Sequence, residues 1–472
     1  MEADLIIIGG GLAGLVTANR AAELGCSVII LEQGATPDYP CNSRVTGGVV
    51  HFATESLLEP LDFLAKKVAR ITGGFVAPEK TSSIAADGKR ALEWLIAQGT
   101  KFVQTSPHPR HRWVMGPLRL PRHGLDPTGW RGRAGDATLR ALTAKLKERG
   151  GILSLGTKAR SLIFENNRCV GVAAEKDGAP TTFRGKAIVL ADGGFQGSDA
   201  MIGRFIAKQP GKVQRRNAAT GMGDGIRMLE EAGAKLVGMK YFYGHLLARD
   251  ALKREQLWPY PTLDALATAS IVVNGRGERF LDEGMGGVYL ANALAWSDDP
   301  TDAWVVFDDE IWNKAGRTEA GFVSANPVLV NVKGPLFKAD SLAALESDTG
   351  LPAGALTATV AAYNDAATNK TNPQLSPPRS TEYGTPQPIL KAPFYAVPMC
   401  PGLTFTMGGG DVDADMRFLR PDGSVIEGLV GAGKSIGGLE GGETGGYVGG
   451  LSLALLTGMR AAESIARSVK AA

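Results

Sequence analysis

Apolar residues in this chain come in two rhythms. Asp4-Leu5-Ile6-Ile7-Ile8, Val28-Ile29-Ile30-Leu31 and Ala187-Ile188-Val189-Leu190-Ala191 are short runs with almost no polar break, the pattern of strands covered on both faces, as in a parallel sheet. Leu12 to about Leu24 instead repeats at helical spacing, and so does Leu451 to Lys470. Strand, helix and strand in succession predict a βαβ unit and an α/β fold class. A further apolar run, Ile271-Val272-Val273, sits in a stretch of mixed pattern, so we divide the chain into 1–239, an inserted 240–396 and a return segment 397–472. Ala367 to Pro388 is rich in Pro and Thr and reads as an exposed loop or linker.

Composition narrows the class. The 62 glycines among 472 residues follow no collagen-like period, which points to tight turns and backbone packed against a ligand. A formal net charge of +3, from 51 basic and 48 acidic residues mostly interspersed, predicts no nucleic-acid partner. Cys26, Cys41, Cys169 and Cys400 make no CxxC pair, which argues against zinc, haem attachment and a disulfide framework and fits a reducing compartment. With no charged-then-apolar leader at the start and no long apolar run, the expectation is a cytoplasmic chain that is not an integral membrane protein.

Gly9, Gly11 and Gly14 give a G-x-G-x-x-G turn directly after the first strand and before the first helix, and Glu32 ends the second strand some twenty residues on. The glycines let backbone N–H groups and the helix N-terminus approach a pyrophosphate, while the carboxylate accepts ribose hydroxyls. A competing motif, Gly428 to Ser435, satisfies G-x-x-x-x-G-K-S, the phosphate loop of NTP hydrolases. The residues after it are too glycine-rich for the helix such a loop must open, so an NTP-binding protein is the weaker alternative.

Further motifs resemble those of the fumarate reductase and succinate dehydrogenase flavoprotein superfamily. They are the GG-rich stretch Asn42 to Gly48, the turn Ala191-Asp192-Gly193-Gly194, Gly223-Asp224-Gly225-Ile226, Val272-Val273-Asn274 leading into Gly277-Glu278-Arg279-Phe280-Leu281-Asp282-Glu283, Thr406-Met407-Gly408-Gly409, and Gly428 to Gly433. The resemblance implies a Rossmann-type FAD-binding domain with an inserted α+β capping domain. It nominates Gly9, Gly11, Leu12, Ala13, Gly14, Glu32, Gln33, Ser43, Gly47, Gly48, Ala191, Asp192, Gly193, Asp224, Gly433 and Leu451 for FAD. Succinate dehydrogenases attach flavin through a histidine just before the GG pair. Arg44-Val45-Thr46 stands there, so non-covalent FAD is expected.

The same resemblance implies hydride transfer at a carbon–carbon bond beside a carbonyl, with flavin N5 taking the hydride and a small-molecule carbonyl compound as substrate. Where fumarate reductases carry a substrate histidine and arginine, this chain has Phe405 and Tyr447. Gly446 to Leu451 is similar to the 3-ketosteroid dehydrogenase branch, where a tyrosine and a backbone amide hold a ketone oxygen, and also to tricarballylate dehydrogenase. Tyr447 is thus the leading catalytic candidate, with His245, Tyr289 and Arg279 beside it. Two readings stay open: desaturation or reduction of a ketone or acid, and a tricarballylate-type or enoate oxidoreductase, separated by whether arginines are set for carboxylates. The basic run Ser106 to Arg133, with His108, Arg110, His111, Arg112, Arg119, Arg122, His123, Arg131 and Arg133, reads as a solvated loop or an anion-recognition surface, its last residues resembling a flavin contact. No second dinucleotide fingerprint and no cluster ligands are present, so electrons exchange with an external acceptor such as a quinone, a partner protein or oxygen.

Overall fold

The computed structural model describes residues 1–119, 129–254, 261–318 and 324–471. Arg122 and His123 of the basic run lie outside the described residues.

The first apolar run is β1 (Glu2–Ile8), followed by α1 (Leu12–Glu23) and β2 (Val28–Leu31). The next members of this sheet are β3 (Ile152–Ser154), β4 (Thr157–Glu165), β5 (Arg168–Lys176) and β6 (Ala179–Leu190). β1 is paired in parallel on both sides, with β2 and with the C-terminal half of β6. That double coverage is why Leu5, Ile6 and Ile7 can all be fully buried without polar alternation. β6 is longer than its apolar run because its first half turns back on β5 as an antiparallel hairpin extension.

Register matters more than strand count. Ile8 lies opposite Leu31 on one side and Leu190 on the other, and Leu190 lies opposite Gly431 of a returning parallel strand, Val425–Gly431. The carboxyl ends of four strands therefore line up, and the loops leaving them open on one crevice, the place where ligands bind in open α/β sheets. The last helix, Gly450–Ala471, packs along α1.

Among the described residues the second sheet has six strands. Its middle is the long strand Phe394–Thr406, bordered by Phe242–Ala248 on one half and by Trp304–Asp308 on the other, with Ile271–Val273 beyond. That long strand carries the chain from this sheet into the crevice, where the Thr406 hydroxyl oxygen accepts the Phe195 N–H at 3.1 Å. The Pro- and Thr-rich stretch departs from expectation. It is irregular, but it is not simply exposed: Arg379 is fully buried, donating to the backbone oxygens of Ser380 and Thr268 and lying 3.6 Å from Glu283. A guanidinium with several carbonyl partners and a facing carboxylate can be buried where an unpaired one cannot.

Among the described residues no helix is long and apolar enough to cross a membrane, and no three His, Cys, Asp or Glu side chains converge as a metal site. All four cysteines are free thiols.

Candidate flavin and substrate site

One cleft of about 290 Å³ runs along the strand ends. Its nucleotide half is built as the glycine spacing requires. Gly9 has φ +105°, and a Cβ there would meet the Ala191 carbonyl oxygen at 2.6 Å; a Cβ on Gly14 would sit 2.0 Å from the Gly9 carbonyl oxygen. The first glycine thus shapes the turn, and the last lets α1 press onto β1. Gly11 has no side chain to cap α1, Leu12 N–H donates to the Ser43 hydroxyl at 3.1 Å, and this helix start lines the cleft, where an N-terminus favours an anion.

Glu32 is held on the floor by two backbone donors, Gly10 N–H at 2.9 Å and Gly34 N–H at 2.8 Å. Burial pushes its carboxyl up, opposed by those two bonds. Each carboxylate oxygen keeps a lone pair for a further donor. Asp192 accepts from Gly225 N–H at 2.7 Å and from the Ser435 hydroxyl at 3.0 Å, and burial pushes it up to about 6.

Of the sequence-nominated cofactor residues, Gly9, Gly11, Leu12, Ala13, Glu32, Gln33, Ser43, Gly47, Ala191, Asp192, Gly193, Asp224, Gly433 and Leu451 line the cleft. Gly14 and Gly48 stand behind it as packing positions. The segment from Arg131 to Gly135, expected to touch the flavin, does not line the cleft: Arg131 and Gly132 are exposed, and Ala134 and Gly135 are buried in packing. A Cβ on Gly135 would lie 1.8 Å from the Ser43 carbonyl oxygen, and Asp136 beside it is buried in an ion pair with Arg44.

The far half of the cleft is aromatic and cationic. Tyr447 and Tyr243 stack with centroids 3.8 Å apart and planes 21° from parallel, with Phe405 beside them. The Tyr447 hydroxyl is 3.1 Å from His51 Nε2. Arg110 and Arg216 also line this end, and burial raises the Tyr243 phenol against the pull of both guanidinium groups. Every acid on the described wall, Glu32, Asp192 and Asp224, belongs to the nucleotide half.

The other catalytic candidates lie outside this lining. His245 is buried directly behind Tyr243, its Nε2 2.9 Å from the phenol oxygen and its Nδ1 2.5 Å from Asp264. Arg279 spends its donors on Glu283 (2.6 and 2.9 Å) and on the Pro377 and Leu281 carbonyls. Tyr289 sits on the helix Gly287–Trp296, its backbone against Gly445. Among the described residues of the basic run, only Arg110 reaches the cleft. The G-K-S motif forms a single 3-10 turn, Gly433–Ser435, with no helix directly after it, and Lys434 is engaged by buried Glu440.

Sequence reasoning missed His51, Tyr243, Arg216 and Asp264. Tyr243 was legible in principle, since residues two apart in a strand share a face and His245 was already singled out.

The cleft fits FAD on its own chemistry. Gln196 Oε1 and Thr404 Oγ1 are buried on its wall with no hydrogen-bond partner, and buried polar atoms are rarely left so unless a ligand satisfies them. Helix N-terminus, ribose-type carboxylate and orphaned polar atoms together define a dinucleotide-binding α/β protein with a second sheet closing one end. Residues 4–449 match the family described as "FAD binding domain". The chain belongs to that family, and FAD is its cofactor.

Three likenesses refine the picture. The chain is 28% identical to an NADH:acrylate oxidoreductase of Vibrio harveyi, over 93% of this chain but 48% of that one, so it spans about half of that relative's length. It is 25% identical to a 3-oxosteroid 1-dehydrogenase of Mycolicibacterium smegmatis, over 92% and 91% of the two chains. Its fold superposes on a crystal structure of 3-ketosteroid Δ1-dehydrogenase from Sterolibacterium denitrificans with TM-score 0.73 at 21% identity, covering 99% of this chain and 100% of the other.

Proposed function

We propose that this chain is an FAD-dependent oxidoreductase that transfers hydrogen across the α,β carbon–carbon bond of a carboxylic acid, saturating an enoate or running the reverse desaturation. The observation that carries the reading is the pair Arg110 and Arg216, which line the cleft and both act on Tyr243, at the end without acids among the described lining residues. Two guanidinium groups facing two phenols suit a carboxylate, which a guanidinium fork binds in two places. The likeness to an acrylate oxidoreductase supports it.

When bound, FAD supplies the hydride acceptor or donor. The arginines hold the carboxylate and offset the charge that gathers on its oxygens as the α-carbon loses or gains a proton. Tyr447 donates to the same oxygens, and Tyr243 and Phe405 wall the site against water. Electrons pass to or from an acceptor outside this chain. The segment 240–396, continued by the strand through Thr406, acts as the cap over FAD held by 1–239 and 397–472. Four free thiols suit a cytoplasmic setting.

A second reading, a cyclic ketone as substrate, is favoured by the aromatic stack and the 3-oxosteroid relative. Mixing photoreduced holoenzyme anaerobically with simple enoates, unsaturated di- and tricarboxylates and cyclic enones separates the two. Flavin reoxidation by a carboxylate is expected. Reoxidation by enones alone would overturn the carboxylate reading.

A further inference from the structure

The two stacked tyrosines are wired with opposite polarity. His51 Nδ1 accepts the Thr54 N–H at 3.1 Å, so in neutral His51 the proton sits on Nε2 and is donated to the Tyr447 oxygen, also at 3.1 Å. His51 is neutral because burial, with Arg110 and His111 nearby, holds it well below the usual imidazole range. The Tyr447 oxygen therefore receives a hydrogen bond from behind, and its own O–H points elsewhere, into the cleft it lines.

His245 is set the other way. Its Nδ1 faces the Asp264 carboxylate at 2.5 Å, and the other oxygen of Asp264 accepts the Leu246 N–H at 2.8 Å, which pins the acid in place. Carboxylate on one side requires N–H at Nδ1, leaving the Nε2 lone pair to accept the Tyr243 O–H at 2.9 Å. Burial lowers His245 and Asp264 raises it again, as in a poised base oriented by an acid. Gly244 between the two residues has no room for a side chain, since a Cβ would lie 2.1 Å from the Gly402 oxygen. The bulge between Tyr243 and Gly244 keeps phenol and imidazole in register.

We propose that Asp264, His245 and Tyr243 form the proton relay of this site, with the Tyr243 oxygen as the group that exchanges a proton with the substrate α-carbon and Tyr447 as the donor to the substrate oxygens. The inference rests on the function proposed above. In desaturation the α C–H bond breaks and its proton goes to the Tyr243 oxygen, while the phenolic proton moves to His245 Nε2. The β-hydrogen departs with its bonding pair as hydride, which bound FAD would accept, and the C–H electron pair at the α-carbon becomes the double bond. Saturation is the exact reverse in atoms and charge. Asp264 faces the resulting imidazolium, and its side chain, one-fifth exposed, gives the proton an outlet to solvent. Tyr243 and His245 are buried, so the relay is otherwise shut off from water. Asp264 is a positioning residue, whereas Tyr243 touches the reacting atom.

The experiment uses FAD-loaded protein and three variants, Tyr243→Phe, Asp264→Asn and the double change. In Asp264→Asn the amide oxygen still accepts from Leu246, but its NH2 faces Nδ1 and forces the imidazole proton onto Nε2, so His245 can no longer take the phenolic proton. Rapid-mixing flavin reoxidation by the enoate identified above should slow by on the order of 10²–10⁴-fold in each single variant, the usual contribution of a general acid or base. The double variant should be no slower than Tyr243→Phe alone, because the members act as one unit. Substrate dissociation constant and FAD retention should stay within threefold of wild type. Rates within threefold in Asp264→Asn, additive losses, or losses that follow FAD release would each overturn the relay. If the wild type accepts only enones, the carboxylate reading falls and the same variants decide the relay on the enone. If it accepts neither, both fall.

Discussion

Removing one oxygen atom tests the substrate end of the cleft. In Tyr447→Phe the ring keeps its stack on Tyr243 at 3.8 Å and its edge contact with His51 at 5.1 Å, so packing and FAD seating survive. What is lost is the acceptor for His51 Nε2–H and the donor to the substrate. The first loss leaves a buried donor short of a partner and costs about 1–3 kcal/mol of stability. The second removes an oxyanion-type donor in a water-poor site, a loss of roughly 2.7–4 kcal/mol at the transition state, or about 10²–10³ in rate. The two can be read separately. Flavin reduction by saturating substrate, or reoxidation by the unsaturated partner, measured anaerobically in a single turnover isolates the chemical step, while urea denaturation reports stability. The expected pattern is a rate at least a hundredfold lower with FAD affinity unaltered. A chemical step within about threefold of wild type, set against the hundredfold expected of such a donor, would remove Tyr447 from the reaction whatever the stability change.

Arg216→Gln should raise KM or the substrate dissociation constant by about ten- to a hundredfold, since one charge-assisted contact is worth roughly 1.5–3 kcal/mol; equal affinity for enoate in the variant would show that Arg216 does not bind the carboxylate. Glu32→Gln keeps the shape of the floor but loses the charge, and equilibrium titration of flavin-free protein should show FAD binding at least about tenfold weaker. Acid precipitation of the holoprotein should release its yellow colour into the supernatant; pigment kept in the pellet would mean a covalent link. Asp192, raised to about 6 in the flavin-free fold, holds a proton there between about pH 4 and 6 that the unfolded chain does not. Its contribution to stability is therefore most favourable below that window and declines as pH rises through it, so wild type should lose stability relative to Asp192→Asn from pH 4.5 to 7; a constant gap would contradict the raised value.

How much of this was legible in the sequence follows from where the forces are local. Residues 5–8, 28–31 and 187–190 are apolar on both faces, as a doubly covered parallel sheet requires, and the Gly9-to-Gly14 spacing is a steric demand of one turn. The G-K-S run shows the reverse case: its meaning turned on whether a helix followed, and local glycine content answered that. The substrate end was not legible because its parts come together only through tertiary register. His51 follows the GG turn, Arg110 lies in the short 3-10 helix Pro109–His111 some sixty residues later, Arg216 precedes the helix Asp224–Glu231 and Tyr243 lies in the other sheet. Arg279 and Tyr289 stood out as motif neighbours, yet the arginine's partners are Glu283 and backbone carbonyls, geometry that no spacing in the chain reveals.

The two stacked tyrosines come from different parts of the molecule. Tyr447 comes from the loop before the last helix, on the nucleotide side, while Tyr243 and His245 ride the strand Phe242–Ala248 of the second sheet. That strand pairs with Phe394–Thr406, which delivers Thr404 and Phe405 to the cleft and ends bonded to Phe195 beside the Asp192 turn. The groups proposed to act on the substrate oxygen and the α-carbon thus come together where the second sheet lies against the flavin-binding loops. A displacement of even about 1 Å would open the 3.8 Å stack, while the 2.9 Å Tyr243–His245 bond, made within one strand, would travel with the sheet, and misplacement of that size costs catalysis about a hundredfold.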